Sequence, residues 1–327
     1  MIRAAIEGIG HALPRTILTN DEIARTLDTT DEWIRQRTGI GQRRVAQPDE
    51  STGTLAVAAA REALADANVD PSEVELVIVA TITGDYVWPA TACVVQAELG
   101  IRGAGAYDTS AACAGFIYSL DAAAAQIETG RISTALVIGA DCLTKQLDWT
   151  DRSTAVLFGD AAAAVVVRAN PHDSRGLVKT VLDADGAGAR HIWIEAGGNR
   201  HPLGTASADG RKNCLTMNGK EVFRFAVKAM GDACERVLER AGMTAGDIDL
   251  FVPHQANSRI ILSAAERLEL PLERVFMNVE QYGNTSGGSI PLALYEASRS
   301  GRLQRGMRVL TVGFGAGLVW GANIIEW

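Results

Sequence analysis

A cysteine at the start of an apolar helix pattern is the first feature of this sequence that could do chemistry. Cys113 follows a run of small residues, and apolar side chains then recur at helical spacing up to a glycine stop at Gly130. We expect Cys113 in the first helical turn, capped by Ser110 or Thr109, where free N–H groups and the helix dipole favour a thiolate. The alternative is a small buried cysteine without chemistry, the commoner fate of one cysteine.

Two further polar residues stand in short motifs later in the chain. His254 lies in Pro-His-Gln-Ala-Asn after an apolar strand, and Asn284 lies in a Gly-Asn-Thr-Ser turn. Taken alone, the histidine would be a surface or capping residue, and the asparagine would only stabilise its turn. Beside a cysteine they gain other uses. Cys and His can act as nucleophile and base, and His and Asn can both donate hydrogen bonds to one enolate oxygen.

An internal repeat predicts how these residues meet. Residues 69–79 match residues 243–253, and further matches follow in the same order. We therefore predict two duplicated α/β halves, residues 1–170 and 171–327, which bring the cysteine helix, the histidine strand end and the asparagine turn to one site. The glycine-rich stretch 170–215 is expected to be a surface excursion, and residues 151–167 to form two strands joined at 159–160.

Length and composition restrict the class of protein. The chain has 327 residues, 47% hydrophobic and 21% charged, as in ordinary globular proteins. Its net charge of −8 argues against nucleic acid as the main partner. We expect a soluble cytoplasmic enzyme without membrane attachment, because no run of about 18 apolar residues occurs. Five cysteines without C-x-x-C spacing predict neither a disulfide framework nor a metal site.

The three motifs, taken together, resemble the signature of β-ketoacyl-acyl-carrier-protein synthase III. The resemblance extends from Thr-Asp-Glu-Trp-Ile at 30–34 to Trp-Gly-Ala at 320–322. It implies a thiolase fold, an α/β five-layered αβαβα sandwich of two halves, and a homodimer. It also implies condensation of acetyl-CoA, or another short acyl-CoA, with malonyl-acyl-carrier protein. This initiating step of type II fatty acid synthesis releases CoA and CO2, and no cofactor is implied, because decarboxylation supplies the carbanion.

The resemblance also implies roles for individual residues. Cys113 would carry the acyl group, whose oxygen binds the backbone N–H groups of Cys113 and Ala316. His254 and Asn284 would stabilise the enolate. Residues of the CoA site would be Trp33, Arg37, Arg152 and Asn257.

Two surfaces for partners are implied as well. Trp88 stands where the family has an aromatic residue lining the partner subunit's acyl pocket, and its size should favour short primers. Acidic acyl-carrier protein would dock on basic residues of two helices. These residues are Arg224, Lys228, Arg259 and Arg267. From the residues alone, the alternative for the four basic side chains is a solvated helix face. The alternative for Trp33 and the arginines of its own segment, Arg35 and Arg37, is a salt-bridged helix face.

Other thiolase-fold enzymes fit the motifs less well. A degradative thiolase should carry a second cysteine in the loop 313–317, and an elongating synthase a histidine at Asn284. A synthase III homologue of a specialised, polyketide-type pathway, loading an unusual primer or only transferring an acyl group, has the same motifs. A non-catalytic acyl-binding scaffold is the alternative from another class.

Overall fold

The computed structural model of the chain describes residues 2–327. The strands are β1 (Arg3–Ala12), β2 (Thr16–Thr19), β3 (Gln42–Val45), β4 (Leu76–Ala80), β5 (Gly105–Thr109), β6 (Thr134–Asp141), β7 (Ala161–Asn170), β8 (Gly176–Ala184), β9 (Ile192–Ile194), β10 (Leu215–Met217), β11 (Leu250–Pro253), β12 (Arg308–Gly315) and β13 (Val319–Glu326). The helices are α1 (Asn20–Ile23), α2 (Asp31–Thr38), α3 (Thr52–Ala67), α4 (Thr91–Glu98), α5 (Gly115–Glu128), α6 (Arg152–Ala155), α7 (Gly219–Ala241), α8 (Ser258–Arg267), α9 (Val279–Tyr282) and α10 (Ser289–Arg299).

Two mixed sheets form the framework. The first has the order β1-β7-β6-β4-β5, with β4 parallel to both β5 and β6, and β7 antiparallel to β1 and β6. The second has the order β11-β12-β13-β8, with β11 parallel to β12 and the other pairs antiparallel. Two-stranded sheets, β2-β3 and β9-β10, lie outside this framework.

The helices complete five layers. Helices α5 and α10 lie between the two sheets, α3 and α4 cover the outer face of the first sheet, and α7 and α8 cover that of the second. A separate apolar cluster fills each of the three helix layers against its sheets. Strands β4 and β6 are buried along their whole length, as is typical of continuous apolar runs.

The matching segments of the sequence repeat have the same local structure. In each, a short 3₁₀ turn (Pro71–Glu73 or Ala245–Asp247) leads into a buried strand, β4 or β11. Each of these strands pairs in parallel with the strand that follows a central helix, β6 or β12. Equivalent strands therefore end at the same edge of the two sheets, where the polar motifs lie.

Two sequence predictions about local structure are wrong. Residues 151–167 do not form two strands, because the Asp151 side chain accepts a hydrogen bond from the N–H of Ser153 and starts helix α6. Only β7 follows. The segment 170–215 is not merely a surface excursion, since it contains β8, which pairs with β13, and β9, which lies against the site described next.

Candidate active site

Cys113 is held in a 3₁₀ turn, Ala112–Ala114, that connects β5 to α5. Ala112 has a left-handed backbone with φ +44°. The predicted cap by Ser110 or Thr109 is wrong, because this turn separates them from α5, whose first turn has no side-chain cap. Gly315, at the end of β12, lies directly against the cysteine. A Cβ on Gly315 would approach the Cys113 nitrogen to 2.7 Å, so only glycine fits there.

The Cys113 side chain is buried, and this burial decides its protonation. Burial raises the pKa of the thiol to about 12, although hydrogen bonds to Ser286 and Asn284 oppose the rise. Its Sγ lies 3.5 Å from the Ser286 hydroxyl and 4.0 Å from Oδ1 of Asn284. The expected resting thiolate is therefore wrong. The thiol is protonated near neutral pH and must lose its proton during nucleophilic attack.

Asn284 is fixed through both its backbone and its side chain. Its backbone N–H donates to the Leu157 carbonyl (2.9 Å), and its carbonyl accepts from the N–H of Gly159 (3.0 Å). Its Oδ1 accepts from the N–H of Ser286 at 2.9 Å. The amide orientation follows from this bond. Nδ2 is left as a donor without a protein acceptor in residues 2–327.

A buried carboxylate holds the turn that follows Asn284. Asp141, at the end of β6, accepts a 3.1 Å hydrogen bond from the N–H of Gly287. Its other oxygen accepts from the hydroxyls of Thr81 (3.0 Å) and Thr83 (2.8 Å) and from the N–H of Ile82 (2.9 Å). Burial raises the pKa of Asp141, and the hydrogen bonds from Ile82, Gly287 and Thr83 oppose the rise. Sequence reasoning missed this residue because nothing nearby in the chain indicates its contact with the second half.

His254 lies just beyond β11 and is fully enclosed. Its backbone N–H donates to the Val312 carbonyl, and its ring packs edge-on against Phe314 with centroids 5.6 Å apart. Nδ1 lies 3.0 Å from the Ser289 hydroxyl, whereas Nε2 has no hydrogen-bond partner within residues 2–327. Burial lowers the pKa of His254 to about 3, so the ring is neutral at physiological pH.

The side chain of Gln255, the residue after His254, connects two backbone segments of the site. Its buried Nε2 donates to the carbonyls of Pro253 and Phe276, and its Oε1 accepts from the N–H groups of Asn278 and Val279. The side chain thus fastens the loop after β11 to the segment that leads to Asn284. Its role is to hold the backbone around His254.

Two cavities meet at the cysteine. The first, which we call the entrance cavity, has a volume of about 200 Å³ and is lined by Cys113, His254, Asn284 and Asn257. The second, the inner cavity, has about 390 Å³ and a largely apolar wall. Cys113 lies on the wall of both, so an acyl group on its sulfur can extend into one while the other stays free. The inner wall also includes Ala316, the predicted second oxyanion donor.

The four predicted CoA residues lie close together. The guanidinium of Arg152 stacks 4.8 Å from the ring centroid of Trp33, and that of Arg37 lies 5.6 Å away. Asn257 caps α8, and its Nδ2 donates to the Arg37 carbonyl at 3.0 Å. The salt bridges of α2 involve Arg35, which pairs with Asp31 and Glu280. The salt-bridged helix face therefore forms at Arg35, one of the two arginines of this segment. Arg152 also pairs with Asp28, at 3.8 Å.

The residues predicted to meet partners are on the surface. Trp88 is 82% exposed and lines neither cavity of its own chain. Lys228 and Arg224 are exposed on α7, and Arg224 contacts Glu221 at 3.2 Å. Arg259 stacks on Phe223, an aromatic residue of the entrance cavity, at 5.1 Å.

Arg267 differs from the other three basic residues. It forms ion pairs with Asp232 and Glu235 at 2.7 and 2.6 Å, so its charge is already neutralised.

Comparisons with known proteins identify the family. The sequence profile of 3-oxoacyl-(acyl-carrier-protein) synthase III matches residues 107–186, and that of its C-terminal part matches residues 238–327. A β-ketoacyl-(acyl-carrier-protein) synthase III from Symbiobacterium thermophilum is 51% identical over 322 residues, which cover 98% of this chain and 97% of the relative. The chain belongs to the β-ketoacyl-acyl-carrier-protein synthase III family.

Solved structures of synthase III enzymes agree with this assignment. The enzyme from Thermus thermophilus is 48% identical, covers 99% of both chains and gives a TM-score of 0.92. A priming β-ketosynthase of the R1128 polyketide pathway is 40% identical, with 98% of this chain and 95% of that chain covered and a TM-score of 0.92. The chain thus has the thiolase fold predicted from its sequence. As a synthase III it is an acyltransferase that carries out the initiating condensation of fatty acid synthesis.

The structure also identifies site residues that the motifs did not indicate. Ser286 and Ser289 follow Asn284 by two and five residues, and they contact the cysteine and the histidine respectively. Their spacing from Asn284 was the only signal in the sequence. Asp141 and Gln255 support the backbone of the site. Within residues 2–327, no helix is long and apolar enough to span a membrane, and no cluster of three or more His, Cys, Asp or Glu is suited to a metal.

Proposed function

We propose that Cys113, His254 and Asn284 carry out the condensation, with Cys113 as the acylated nucleophile. The observation that supports this most directly is that all three line one cavity, which places a neutral imidazole and an uncharged amide on the same wall as a buried thiol. Neutral donors suit an enolate, because they stabilise a developing charge without a prior proton transfer.

In the first half-reaction, Sγ of Cys113 attacks the carbonyl carbon of the acyl-CoA thioester. The backbone N–H groups of Cys113 and Ala316 bind the tetrahedral oxyanion. The carbon–sulfur bond to CoA then breaks, and the proton lost by the thiol ends on the departing CoA sulfur. The acyl chain occupies the inner cavity, which leaves the entrance cavity free.

In the second half-reaction, malonyl-acyl-carrier protein enters and loses CO2. Nε2 of His254 and Nδ2 of Asn284 donate to the enolate oxygen that forms. The enolate carbon attacks the acyl carbonyl on Cys113 and displaces the thiolate, which takes up one proton from solvent. The product is 3-oxoacyl-acyl-carrier protein. The two electrons of the new carbon–carbon bond come from decarboxylation, so the scheme includes no metal or redox cofactor.

The CoA site that we propose consists of Trp33, Arg37, Arg152 and Asn257. The indole and the two guanidinium planes can enclose an adenine and contact phosphate. For the carrier protein we propose Lys228, Arg224 and Arg259, which have more free charge than Arg267. Arg259 stacks on Phe223 of the entrance cavity, and the other two lie on the same helix as Phe223.

We further propose a homodimer in which Trp88 reaches the partner's acyl pocket. Two features of the described chain support this. Tyr86, Val87 and Trp88 form an exposed apolar loop, being 63%, 94% and 82% exposed, and strand β5 is an unpaired edge of the first sheet. We also propose that the chain divides into two halves, residues 1–170 and 171–327. We further propose a cytoplasmic location without nucleic acid or membrane partners; the net charge of −8 argues against nucleic acid.

The decisive experiment is intact-protein mass spectrometry after incubation with acyl-CoAs, with Cys113→Ser as the control. We expect one acetyl adduct on the natural chain, none on the variant, and discharge by malonyl-acyl-carrier protein. Adducts formed only from long, branched or aryl acyl-CoAs would instead support polyketide-type priming, which the 40% identical priming ketosynthase keeps as a second candidate. No adduct from any acyl-CoA would contradict both.

A further inference from the structure

Ser289, the first residue of α10, joins the histidine to the segment that carries Asn284. The side chain is almost completely buried, with 1% of its surface exposed. Its hydroxyl oxygen lies 2.7 Å from the backbone nitrogen of Gln255 and 3.0 Å from Nδ1 of His254. No third partner of this hydroxyl occurs within residues 2–327.

The two contacts determine where the protons lie. The N–H of Gln255 can only donate, so the Ser289 oxygen accepts from it. The single hydroxyl hydrogen then has one acceptor within reach, which is Nδ1 of His254. The opposite arrangement, with a proton on Nδ1 donated to the serine, would leave the hydroxyl hydrogen buried without an acceptor, which is costly.

The direction of the Ser289–His254 hydrogen bond matters because the imidazole ring carries one proton at neutral pH. When Nδ1 accepts, that proton is on Nε2, the atom without a partner in a ring that lines the entrance cavity. A lone pair at Nε2 would repel an enolate, whereas an N–H would donate to it beside Nδ2 of Asn284.

We propose that Ser289 is a positioning residue that fixes His254 as the Nε2–H tautomer and so makes it a hydrogen-bond donor to the enolate. This inference rests on the enolate role proposed for His254 and adds the group that makes the role possible. One segment, from Asn284 to Ser289, then orients both donors to the enolate oxygen. It carries Asn284 itself, and through Ser289 it sets the tautomer of His254.

The tautomer can be measured by nitrogen NMR on protein labelled with ¹⁵N-histidine, with the His254 signals assigned by their loss in His254→Asn. We expect the natural chain to show a protonated Nε2. Ser289→Ala should lose this preference, and decarboxylation of malonyl-acyl-carrier protein should slow by about 10- to 100-fold, less than the ~100- to 1,000-fold for removal of an oxyanion donor. Acylation of Cys113 should not change.

A matched control is available in α5. Ser119 is equally buried, and its hydroxyl has no hydrogen-bond partner within the described residues, so Ser119→Ala should change neither spectrum nor rate. Ser289→Thr keeps the hydroxyl and should retain the Nε2–H tautomer and the decarboxylation rate. If Ser289→Ala does not fold, Ser289→Cys replaces the hydroxyl with a weak donor of similar size, and it should lower the Nε2–H fraction and the decarboxylation rate together.

The outcomes separate the two proposals. A proton on Nδ1 in the natural chain, or an unchanged tautomer in Ser289→Ala or Ser289→Cys, would overturn the role of Ser289. A tautomer that changes while decarboxylation does not would instead overturn the enolate role of His254. Equal loss of acylation and decarboxylation would show a structural effect and also overturn the inference.

Discussion

Asp141 and Gly287 are joined by a 3.1 Å hydrogen bond that connects the end of β6 to the turn after Asn284. The contact is possible because glycine occurs in both backbone segments where they meet, Gly139 in β6 and Gly287 in the turn. A Cβ on Gly139, in the same strand, would lie 2.0 Å from the carbonyl oxygen of Gly287. The geometry around Cys113 therefore depends on a close approach of backbone segments that are 146 residues apart.

Removing the charge of Asp141 should impair both stability and catalysis. In Asp141→Asn one acceptor oxygen becomes an NH2 group that faces donors, so we expect a loss of about 2–4 kcal/mol in the free energy of unfolding. Decarboxylation should fall more than acylation, because the turn beside Asn284 loses its anchor. Urea unfolding and separate assays of the half-reactions measure this. Asp209→Asn, at an exposed position, is the control, and a variant as stable and active as the natural chain would contradict the proposed anchor.

A methyl group added between β6 and the turn at Gly287 should impair folding and catalysis still more. We expect Gly139→Ala to abolish folding or to shift the turn at Gly287 enough to abolish condensation, because its methyl group would meet a backbone oxygen rather than a flexible side chain. Gly186→Ala adds the same methyl group in open space and should have little effect. Thermal unfolding and condensation assays on both variants test the difference. A fully active Gly139→Ala enzyme is the result that does not fit this packing.

The buried histidine should make the protein sensitive to acid. The pKa of His254 is about 3 in the folded chain against an ordinary 6.5, so the unfolded chain binds the extra proton between these values. Stability is complete above about pH 6.5 and falls as the pH drops towards 3, by at most roughly 4–5 kcal/mol.

The pH dependence can be assigned with two variants. The free energy of unfolding, measured from pH 7 to 4, should depend less on pH in His254→Asn than in the natural chain. The exposed residue His172 provides the control, and His172→Asn should keep the natural slope. A titration of His254 near pH 6.5 in the folded protein would contradict the neutral donor that the mechanism requires.

The exposed indole should control the range of primers. If Trp88 enters the partner's acyl pocket, Trp88→Ala will allow longer acyl chains onto Cys113, and mass spectrometry of acyl adducts will show them. The control is Trp149→Ala, which removes another partly exposed indole, 37% exposed. An unchanged chain-length range would show that the pocket assignment is wrong.

A charge reversal should separate the carrier protein from CoA. Lys228→Glu is expected to raise KM for malonyl-acyl-carrier protein several-fold, within the range of exposed charge contacts, and to leave acylation by acetyl-CoA unchanged. The effect should weaken at high salt. Lys179→Glu changes the same charge on an exposed part of β8 and should not affect KM. Equal effects of the two variants would mean that net charge, rather than a docking surface, is responsible.

Local patterns in the sequence predicted a duplicated α/β unit and indicated the Cys, His and Asn set, and the family resemblance of the motifs predicted the layered fold. Apolar runs such as 76–80 became buried strands, and the motif residues lie at element ends. The protonation of Cys113 could not be predicted in this way, since burial by segments distant in the chain is the main cause of the raised pKa of its thiol. The roles of Asp141 and Ser289 depend on contacts across 146 and 35 residues, which no local spacing indicates.

The position of Cys113 between two cavities has a kinetic consequence. In the proposed mechanism both thioester substrates reach Cys113 through the entrance cavity, so the CoA released by the first can occupy the place that the second needs. Free CoA should therefore inhibit competitively against malonyl-acyl-carrier protein. A cell with a high ratio of free CoA to acyl-CoA would then slow chain initiation through the geometry of one cysteine, without a separate regulatory site.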